Sequence, residues 1–440
     1  MFFRVCLVTS VLASASAAFG QTSQPTTASE SWPCLAPAAT RLKIVSSNWP
    51  DASSLGQFGL DAIRLEEART DEQKAQAIWR WVRRCTMATG TGTPTEPGES
   101  YISDPMAILN VYGDHHCDGL SRMMAEVWQA AVGLPAVKIY RSGHTMADCW
   151  WVDDDGVGRY HMFDVNYGYF LYDRAGKRQA TCDDIGMDFS LACLPSRTSV
   201  PWLEKQWWMY AWIHCAWAEP SRREATVRLR PRERLVRTWG QNWPVYDTGA
   251  LKAGPDPDGA AYPMTQGQGM FRWQSDFAAG DWQDALAAVP VNVAIRQGRA
   301  VQADASRPGE MLLRARVPYV VADVELQVDL AGGGKVQIDT SVDGGRSWRA
   351  AWTVARAGRS VLKLSDVQPK FDSPAAAAAG KPVSRTSPIG RYDYLLRFRL
   401  IDGAEVASIA QSTYVQHNLL TLPTLIPGQN TLTVSGELSP

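Results

Sequence analysis

The pattern of apolar and polar positions changes near Glu224 and predicts a mixture of helices and strands before it and strands alone after it. Two segments before that point carry apolar residues at the three- and four-residue spacing of an α-helix. The first begins at Thr70, which can cap a helix, and its apolar positions are Ala75, Ile78, Trp79 and Val82. The second begins at Cys117 and its apolar positions are Leu120, Met123, Met124, Val127, Trp128 and Ala131. So wide an apolar stripe is typical of the central helix of an α/β layer.

Strand signals follow the second helix. The segments 136–140, 144–152 and 159–165 are predicted to be strands, and Asp153-Asp-Asp-Gly156 is a hairpin turn signal. Two further helices are predicted, a short one from Asp104-Pro105 to Asn110 and a Trp-rich one over 199–221.

After Glu224 the chain predicts an all-β region, because short alternating runs are separated by Gly, Pro and Asp. The clearest runs are Ala225–Arg230, Val324–Asp329, Lys335–Asp339 and Tyr394–Leu400. The stretch Ser341–Trp348 looks like an Asp-box, a hairpin motif common in sialidase-like and carbohydrate-associated β proteins. We expect it to be a folding element, in which Asp343 accepts backbone N–H bonds. The Ala-rich insert around 373–388 is expected to be a surface loop.

Composition narrows the class of partner. A chain of 440 residues predicts two or three domains, and the balance of 44 basic and 45 acidic residues argues against nucleic acid or an anionic membrane as the main partner. The N-terminus, with Arg4, an apolar run over residues 5–12 and small residues to Ala18, predicts a secretory signal. No later stretch is long and apolar enough for a transmembrane helix, so we expect a secreted or periplasmic protein.

Export changes how the cysteines are interpreted. Removal of the signal with Cys6 leaves seven, and an odd number in an oxidising compartment indicates an unpaired thiol. If Cys117 is that thiol, the other six could form up to three disulfides. These six are Cys34, Cys85, Cys149, Cys182, Cys193 and Cys215.

Cys117, His144 and Asp164 have the residue types and chain order of a thiol nucleophile, its base and the carboxylate that orients the base. Cys117 stands at a predicted helix start, and His144 and Asp164 stand on predicted strands. A helix N-terminus and a neighbouring imidazole both lower the pKa of a thiol. The pattern therefore predicts a catalytic triad.

The same stretch resembles a known family. Trp79-Arg-Trp81-Val82, Asp104-Pro, Cys117-Asp-Gly, Val132-Gly-Leu-Pro-Ala, Gly143-His144 and Phe163-Asp164, in this order, look like the transglutaminase-like superfamily of papain-like cysteine enzymes. The resemblance covers about residues 60–175. It implies Cys117, His144 and Asp164 as the triad and acyl transfer or amide hydrolysis through a thioester. Many members have Gly where this chain has His115, so an imidazole there could narrow the site or bind substrate.

The expected fold class is therefore α+β, a transglutaminase-like (papain-like) core followed by an all-β sandwich-type region. The predicted boundaries are a signal peptide (1–20), a leader (21–55), the catalytic domain (56–221), a β-rich connecting region (222–300) and a β-sandwich (301–440).

Other residues near the triad in sequence are candidates for binding substrate: Tyr112, His115, His116, Trp151, Tyr167 and Tyr169. We expect no metal, because adjacent histidines rarely reach one ion and no paired ligand spacing occurs, and we expect no cofactor. The predicted partner is a polymeric substrate, such as peptide, cell-envelope material or polysaccharide. Two alternatives remain: a polysaccharide-cleaving lyase or hydrolase that uses the same cleft, and a non-catalytic glycan- or peptide-binding protein.

Overall fold

The structure is a computed structural model. It describes residues 39–88, 96, 101–141, 144–188, 190–193, 213–215, 221, 223, 225–238, 243–244, 246, 265–368, 387–423 and 433–438. The predicted signal peptide, Cys34, most of the Trp-rich stretch and most of the Ala-rich insert lie outside these residues.

The helices concentrate in the first half of the chain. They are α1 (Leu55–Leu65), α2 (Asp71–Cys85), α3 (Pro105–Ala107), α4 (Cys117–Val132), α5 (Cys182–Met187), α6 (Ser190–Cys193) and α7 (Leu364–Val367). A π-helical turn, Ile108–Tyr112, follows α3. The predicted helix from Thr70 is confirmed: Thr70 caps α2, and Gln73 completes a capping box with it.

The strands of the first half are β1 (Ala39–Val45), β2 (Met87–Ala88), β3 (Asp114–His115), β4 (Ala136–Arg141), β5 (His144–Val152), β6 (Gly158–Phe163) and β7 (Ile213–Cys215). Those of the second half are β8 (Val227–Leu229), β9 (Arg234–Thr238), β10 (Gln266–Gln274), β11 (Val293–Arg296), β12 (Arg299–Gln302), β13 (Gly309–Arg316), β14 (Val320–Leu330), β15 (Lys335–Ser341), β16 (Arg349–Val354), β17 (Gly358–Lys363), β18 (Asp393–Ile401), β19 (Glu405–Asn418) and β20 (Thr433–Leu438). Strands outnumber helices, so the fold is β-rich and of the α+β class.

In the first half, α4 packs against an antiparallel sheet of order β6-β5-β4-β7. α1 and α2 pack against α4, and all three helices contribute to one apolar core. Phe58, Ile78, Val82, Met123, Val127 and Trp128 are fully buried in that core. The predicted helix after Cys117 and the three predicted strands are confirmed. The hairpin turn closes through the Gly156 N–H, which donates to the Asp153 carbonyl at 2.8 Å.

In the second half, a seven-stranded and a four-stranded sheet share a second core. The larger sheet runs β11-β12-β19-β10-β9, with β14 and β17 joined through β19, and the smaller runs β13-β18-β15-β16. Val324, Leu326 and Val328 of the larger sheet and Ile338, Phe398 and Leu400 of the smaller are fully buried in this core. Most of the residues described after Glu224 therefore form a sandwich, whereas β8 and β20 pair with β1 in a separate sheet.

The Asp-box stretch forms the turn between β15 and β16. Asp343 accepts hydrogen bonds from the Ser341 hydroxyl and from the Ser347 N–H, at 2.8 and 3.0 Å. Gly345 has a φ of 88°, which its lack of a side chain permits. The Arg397 guanidinium lies 4.4 Å from the Trp348 ring centroid. These contacts close the hairpin on itself, as expected of a folding element.

Two predicted segments have different structures. The predicted leader (21–55) includes β1, whose backbone pairs with β8 and β20 far along the chain. Within the Trp-rich stretch predicted to be helical, β7 extends the α4 sheet by pairing with β4. The predicted boundary at residue 300 falls inside β12, and β9, β10 and β11 share their sheet with β14 and β19.

The sandwich is tied to the helical half by buried polar contacts. The Asn418 amide nitrogen donates to the carbonyls of Cys85 and Leu109, both at 2.7 Å. Cys85 ends α2, where a carbonyl has no hydrogen-bond partner within the helix, so the Asn418 amide supplies that partner. The Thr265 hydroxyl likewise donates to the Tyr112 carbonyl at 2.9 Å. The two halves are therefore joined at residues that precede Cys117.

A buried carboxylate makes a second join. Glu96 accepts hydrogen bonds from Tyr112 at 2.7 Å and from the Tyr392 hydroxyl of the sandwich. Arg223 binds both of its oxygens, each at 3.0 Å.

Across the described ranges, no helix has the length and apolar character needed to cross a membrane.

We expect Asn418→Ala to lower the free energy of unfolding by about 2–4 kcal/mol, because it leaves two buried carbonyls unsatisfied. The exposed Asn48→Ala is the control and should change it by less than about 0.5 kcal/mol. Chemical denaturation followed by tryptophan fluorescence measures both. Equal, small changes in the two variants would contradict this account of the join.

Candidate active site

Cys117 opens α4 because the preceding residues bring the chain sharply to that point. Gly113 ends the π-helical turn with a φ of 72°, and a Cβ there would lie 2.4 Å from the Asn418 amide oxygen. β3 then pairs with β2, and His116 takes an extended conformation at the N-cap. The His116 side chain accepts no hydrogen bond from the first turn of α4. A helix start without a side-chain cap favours negative charge beside it, here the Cys117 sulfur.

β5 and the end of β6 bring the base and its carboxylate together. His144 is the first residue of β5, and Asp164 follows directly after β6. The His144 Nε2 lies 2.6 Å from Asp164 Oδ2. Asp164 is fully buried, whereas the His144 side chain is 14% exposed. The imidazole therefore has its Nε2 edge on a buried carboxylate.

The Cys117 thiol and the His144 imidazole influence each other, because each shifts the pKa of the other. Burial by itself would raise the pKa of the Cys117 thiol, but the hydrogen bond and charge of His144, with hydrogen bonds from Thr145, outweigh burial and lower it. Burial would lower the pKa of His144, but Asp164 and Cys117 raise it to about 9. A lowered thiol pKa beside a raised imidazole pKa favours a thiolate–imidazolium pair near neutral pH.

Backbone and indole groups hold the Asp164 carboxylate in place. Its second oxygen, Oδ1, accepts the Tyr167 backbone N–H at 2.8 Å. The Trp79 indole N–H donates to the Asp164 carbonyl at 3.0 Å, which ties the turn to α2. Gly168, with a φ of 83°, closes this turn against Arg83, whose guanidinium would lie 2.2 Å from a Cβ at that position. The position of the Asp164 carboxylate is therefore fixed by groups other than His144.

Ser121 and Thr145 align the nucleophile with the base, and neither residue was identified from the sequence. The Ser121 hydroxyl, one turn along α4 from Cys117, donates to the Thr145 carbonyl at 2.9 Å. Both residues are almost fully buried. Thr145 follows His144 and also contributes to lowering the pKa of the Cys117 thiol. A small polar residue on a helix face is so common that spacing alone did not indicate this contact.

Four of the six candidate substrate-binding residues are buried as the structure places them. Tyr112 and His115 are 0% exposed, and Trp151 and Tyr169 are 2% exposed. A substrate that arrives from solvent cannot reach these side chains, so the expectation for them is corrected. Alternation along strands predicted that some rings would face inward but not which ones.

Their contacts are structural. The His115 Nε2 lies 2.6 Å from the Ile102 carbonyl, and its ring fills the space beside Gly119, where a Cβ would lie 2.3 Å from Nδ1. Burial also lowers the pKa of His115. The Trp151 ring stacks on His161, with centroids 3.7 Å apart. His115 therefore supports α4 from beneath and does not narrow the site.

His116 and Tyr167 are at the surface of the site. His116 is partly exposed and immediately precedes the nucleophile. Tyr167 is 46% exposed, and its ring centroid lies 4.7 Å from that of His144, at 37° between the planes. The Tyr167 ring therefore covers one side of the base.

Sequence reasoning missed four further residues, Tyr101, Asp118, Lys138 and Tyr140, which are grouped around Asp118, the residue after Cys117. Asp118 accepts a hydrogen bond from the Tyr101 hydroxyl at 3.2 Å and forms an ion pair with Lys138. The Lys138 ammonium lies 5.9 Å from the Tyr140 ring centroid. Tyr101 and Tyr140 are 42% and 43% exposed. The packing of α4 against β4, which no local pattern reveals, brings Asp118 to Lys138.

The remaining described cysteines differ from the expected disulfide framework. Cys85, Cys149 and Cys182 are buried thiols, so three of the six expected disulfide partners are unpaired. Cys85 and Cys149 lie in the helical core, and Cys182 lies in a separate cluster behind the sheet. Burial raises the pKa of each of these thiols. Within the part of the chain that the structure describes, no three His, Cys, Asp or Glu side chains form a group that could hold a metal ion.

Comparisons with known proteins add little to this geometry. No family model matches the chain, and no curated protein matches it. One solved chain, described as "CBM4 structure and function", is similar over 33% of this chain and 86% of its own length, with 9% identity and a TM-score of 0.17. A TM-score this low does not show a shared fold.

Cys117 should be the thiol that iodoacetamide labels in the folded protein near pH 7. Its ionised fraction exceeds the few per cent of an ordinary cysteine, so we expect alkylation on the order of tenfold faster than in the unfolded chain. Mass mapping identifies the labelled residue, and His144→Ala should remove the acceleration. Labelling of Cys85, Cys149 or Cys182 ahead of Cys117 would contradict the assignment.

Tyr167→Ala should slow alkylation of Cys117 about threefold near pH 6.5, because the aromatic ring no longer faces the imidazolium that stabilises the thiolate. Tyr167→Phe should stay within about twofold of wild type, since the ring and not the hydroxyl faces His144. Tyr172→Ala, a half-exposed tyrosine that contacts Glu72 and Gln76, is the control. A rate loss in Tyr167→Phe as large as in Tyr167→Ala would instead assign the role to the hydroxyl.

Proposed function

We propose that this chain is an exported cysteine-dependent enzyme of the transglutaminase-like type, which cleaves or transfers amides of a polymeric substrate through a thioester on Cys117. The observation that carries the proposal is the 2.6 Å contact of His144 Nε2 with the buried Asp164, beside a Cys117 thiol whose pKa His144 lowers. The nucleophile opens a helix, and its partners lie on the antiparallel sheet packed against that helix. This arrangement and the chain order of the triad support the resemblance to papain-like enzymes.

In the first half of the reaction, the Cys117 thiolate attacks the amide carbonyl carbon and forms a carbon–sulfur bond. The carbonyl electron pair moves to oxygen, and the Cys117 backbone N–H at the start of α4 is placed to stabilise that oxyanion. As the intermediate collapses, the carbon–nitrogen bond breaks and His144 gives its proton to the leaving amine. The products are an acyl thioester and a free amine, with His144 neutral.

In the second half, neutral His144 takes a proton from an incoming water or amine, which attacks the thioester carbonyl. The carbon–sulfur bond breaks, and the thiolate–imidazolium pair is restored. Asp164 remains ionised throughout and stabilises the imidazolium in each half. We favour hydrolysis over transfer, because no binding site for an acceptor amine is identified among the described residues around Cys117.

The half-exposed rings of Tyr101, Tyr140 and Tyr167 support a polymeric substrate. They offer flat apolar surface at His144 and around Asp118, which suits an extended chain such as a peptide or a glycan-linked peptide. Export rests on the N-terminal sequence, with Arg4 followed by an apolar run and small residues.

Activity should follow a bell-shaped dependence on pH. It should appear as the Cys117 thiol ionises, below the ordinary cysteine range, and fall as His144 loses its proton near pH 9. His144→Ala should cost on the order of a thousandfold in kcat/KM. Asp164→Asn removes a carboxylate that raises the His144 pKa. The alkaline limb of this variant's pH profile should therefore move to lower pH. The experiment is a screen of fluorogenic amides, peptidoglycan and polysaccharides, followed by kcat/KM against pH.

Cys117→Ser is the control that separates the reaction classes. It should bind the substrate of the wild type and fail to cleave it. Cleavage of a polysaccharide by Cys117→Ser at the wild-type rate would reject the thioester mechanism and favour an acid–base enzyme in the same cleft.

A further inference from the structure

We propose that Tyr101, Asp118, Lys138 and Tyr140, here called the Asp118 strip, form the subsite that receives the substrate next to the scissile amide, and that the Asp118–Lys138 ion pair restricts it to uncharged segments. The inference rests on the proposed function and adds the class of substrate. It follows from the placement of the four residues around Cys117 and from the balance of their charges.

Sheet register places two of the four residues on the side of the nucleophile. Tyr140 pairs directly with Thr145 across the antiparallel β4–β5 ladder, so the two side chains lie on the same face. The Ser121 hydroxyl of α4 donates to the Thr145 carbonyl at 2.9 Å, so this part of β5 lies against α4. Lys138 is two residues from Tyr140 and therefore shares its face. The ion pair of Lys138 with Asp118, the residue after Cys117, shows that this face is turned to the start of α4.

The strip is a continuous line of contacts beside the thiol. Tyr101 donates to one carboxylate oxygen of Asp118, and Lys138 binds the other. The Lys138 and Asp118 side chains are 24% and 26% exposed, and the rings at the two ends are each more than 40% exposed. A substrate bound beside Cys117 therefore meets two flat rings with an ion pair between them.

The charges of the strip cancel. Asp118 and Lys138 neutralise one another, and the thiolate–imidazolium pair of Cys117 and His144 does the same beside them. An anionic substrate group would have to displace Asp118 from Lys138, and a cationic group would have to displace Lys138 from Asp118. Each displacement costs an existing ion pair, whereas an uncharged segment that packs on the rings costs none.

Alkylating reagents of different charge test the inference before any substrate is known. Rates at Cys117 are measured with neutral iodoacetamide, anionic iodoacetate and cationic 2-bromoethylammonium, each divided by its rate with N-acetylcysteine amide. Ratios between reagents cancel the ionised fraction of the thiol, so a change in the pKa of Cys117 does not affect them. Lys74→Met is the matched control, because it removes the equally exposed Lys74–Asp71 pair on α2.

In the wild type, the neutral reagent should have the highest normalised rate. Lys138→Met leaves Asp118 uncompensated, so the ratio of cationic to neutral rates should rise about threefold. Asp118→Asn leaves Lys138 uncompensated, so the ratio of anionic to neutral rates should rise about threefold. The control should leave both ratios unchanged.

Unchanged ratios in both strip variants, with normal labelling of Cys117, would overturn the subsite and leave the proposed function standing. Failure of every reagent to label Cys117 in the wild type would instead overturn the proposed function itself. Once a substrate is found, Tyr140→Ala should raise KM with little change in kcat. A loss confined to kcat would reject a binding role for that ring.

Discussion

The burial of one carboxylate, Asp164, is the constraint on which the site depends. An ionised carboxylate withdrawn from water is costly unless hydrogen bonds compensate it, and this one is fully buried. Its two oxygens are satisfied by His144 and by the Tyr167 N–H, and its carbonyl is held by Trp79. These partners come from β5, from the turn after β6 and from α2. The carboxylate is therefore stable only when helix, sheet and turn are assembled, and assembly orients the base as a consequence.

A second constraint explains why the sandwich belongs to the description of the site. Asn418 donates hydrogen bonds to carbonyls at the end of α2 and in the π-helical turn. Glu96 accepts hydrogen bonds from Tyr112 in one half and Tyr392 in the other. The turn held by Asn418 leads through Gly113 to Cys117. A buried amide that loses its acceptors costs more than the bond contributes, so the two halves constrain one another. We infer that the sandwich fixes the start of α4 besides any role in placing a substrate.

Local patterns predicted what local physics determines. Helical periodicity and capping located α2 and α4, and alternation located β4 to β6 and most sandwich strands. The order of Cys117, His144 and Asp164 also predicted three side chains that the structure brings together. What failed depends on distant pairing. β1 finds its partners in β8 and β20, and β10 enters the sandwich before the expected boundary. Tyr112 and His115 are buried by packing that no spacing reveals, and the Asp118 strip forms only where α4 packs against β4.

The four thiols whose side chains the structure describes show how environment, and not residue type, selects a nucleophile. Cys85, Cys149 and Cys182 are enclosed by apolar side chains, where burial opposes ionisation and raises the pKa. Cys117 is also partly buried, and burial is again the largest single influence on its pKa. The direction reverses because His144 and Thr145 stabilise the thiolate, and a helix N-terminus favours it further. The same desolvation that keeps three thiols protonated strengthens the attraction between the Cys117 thiolate and the His144 imidazolium, because charges attract more strongly where water is excluded.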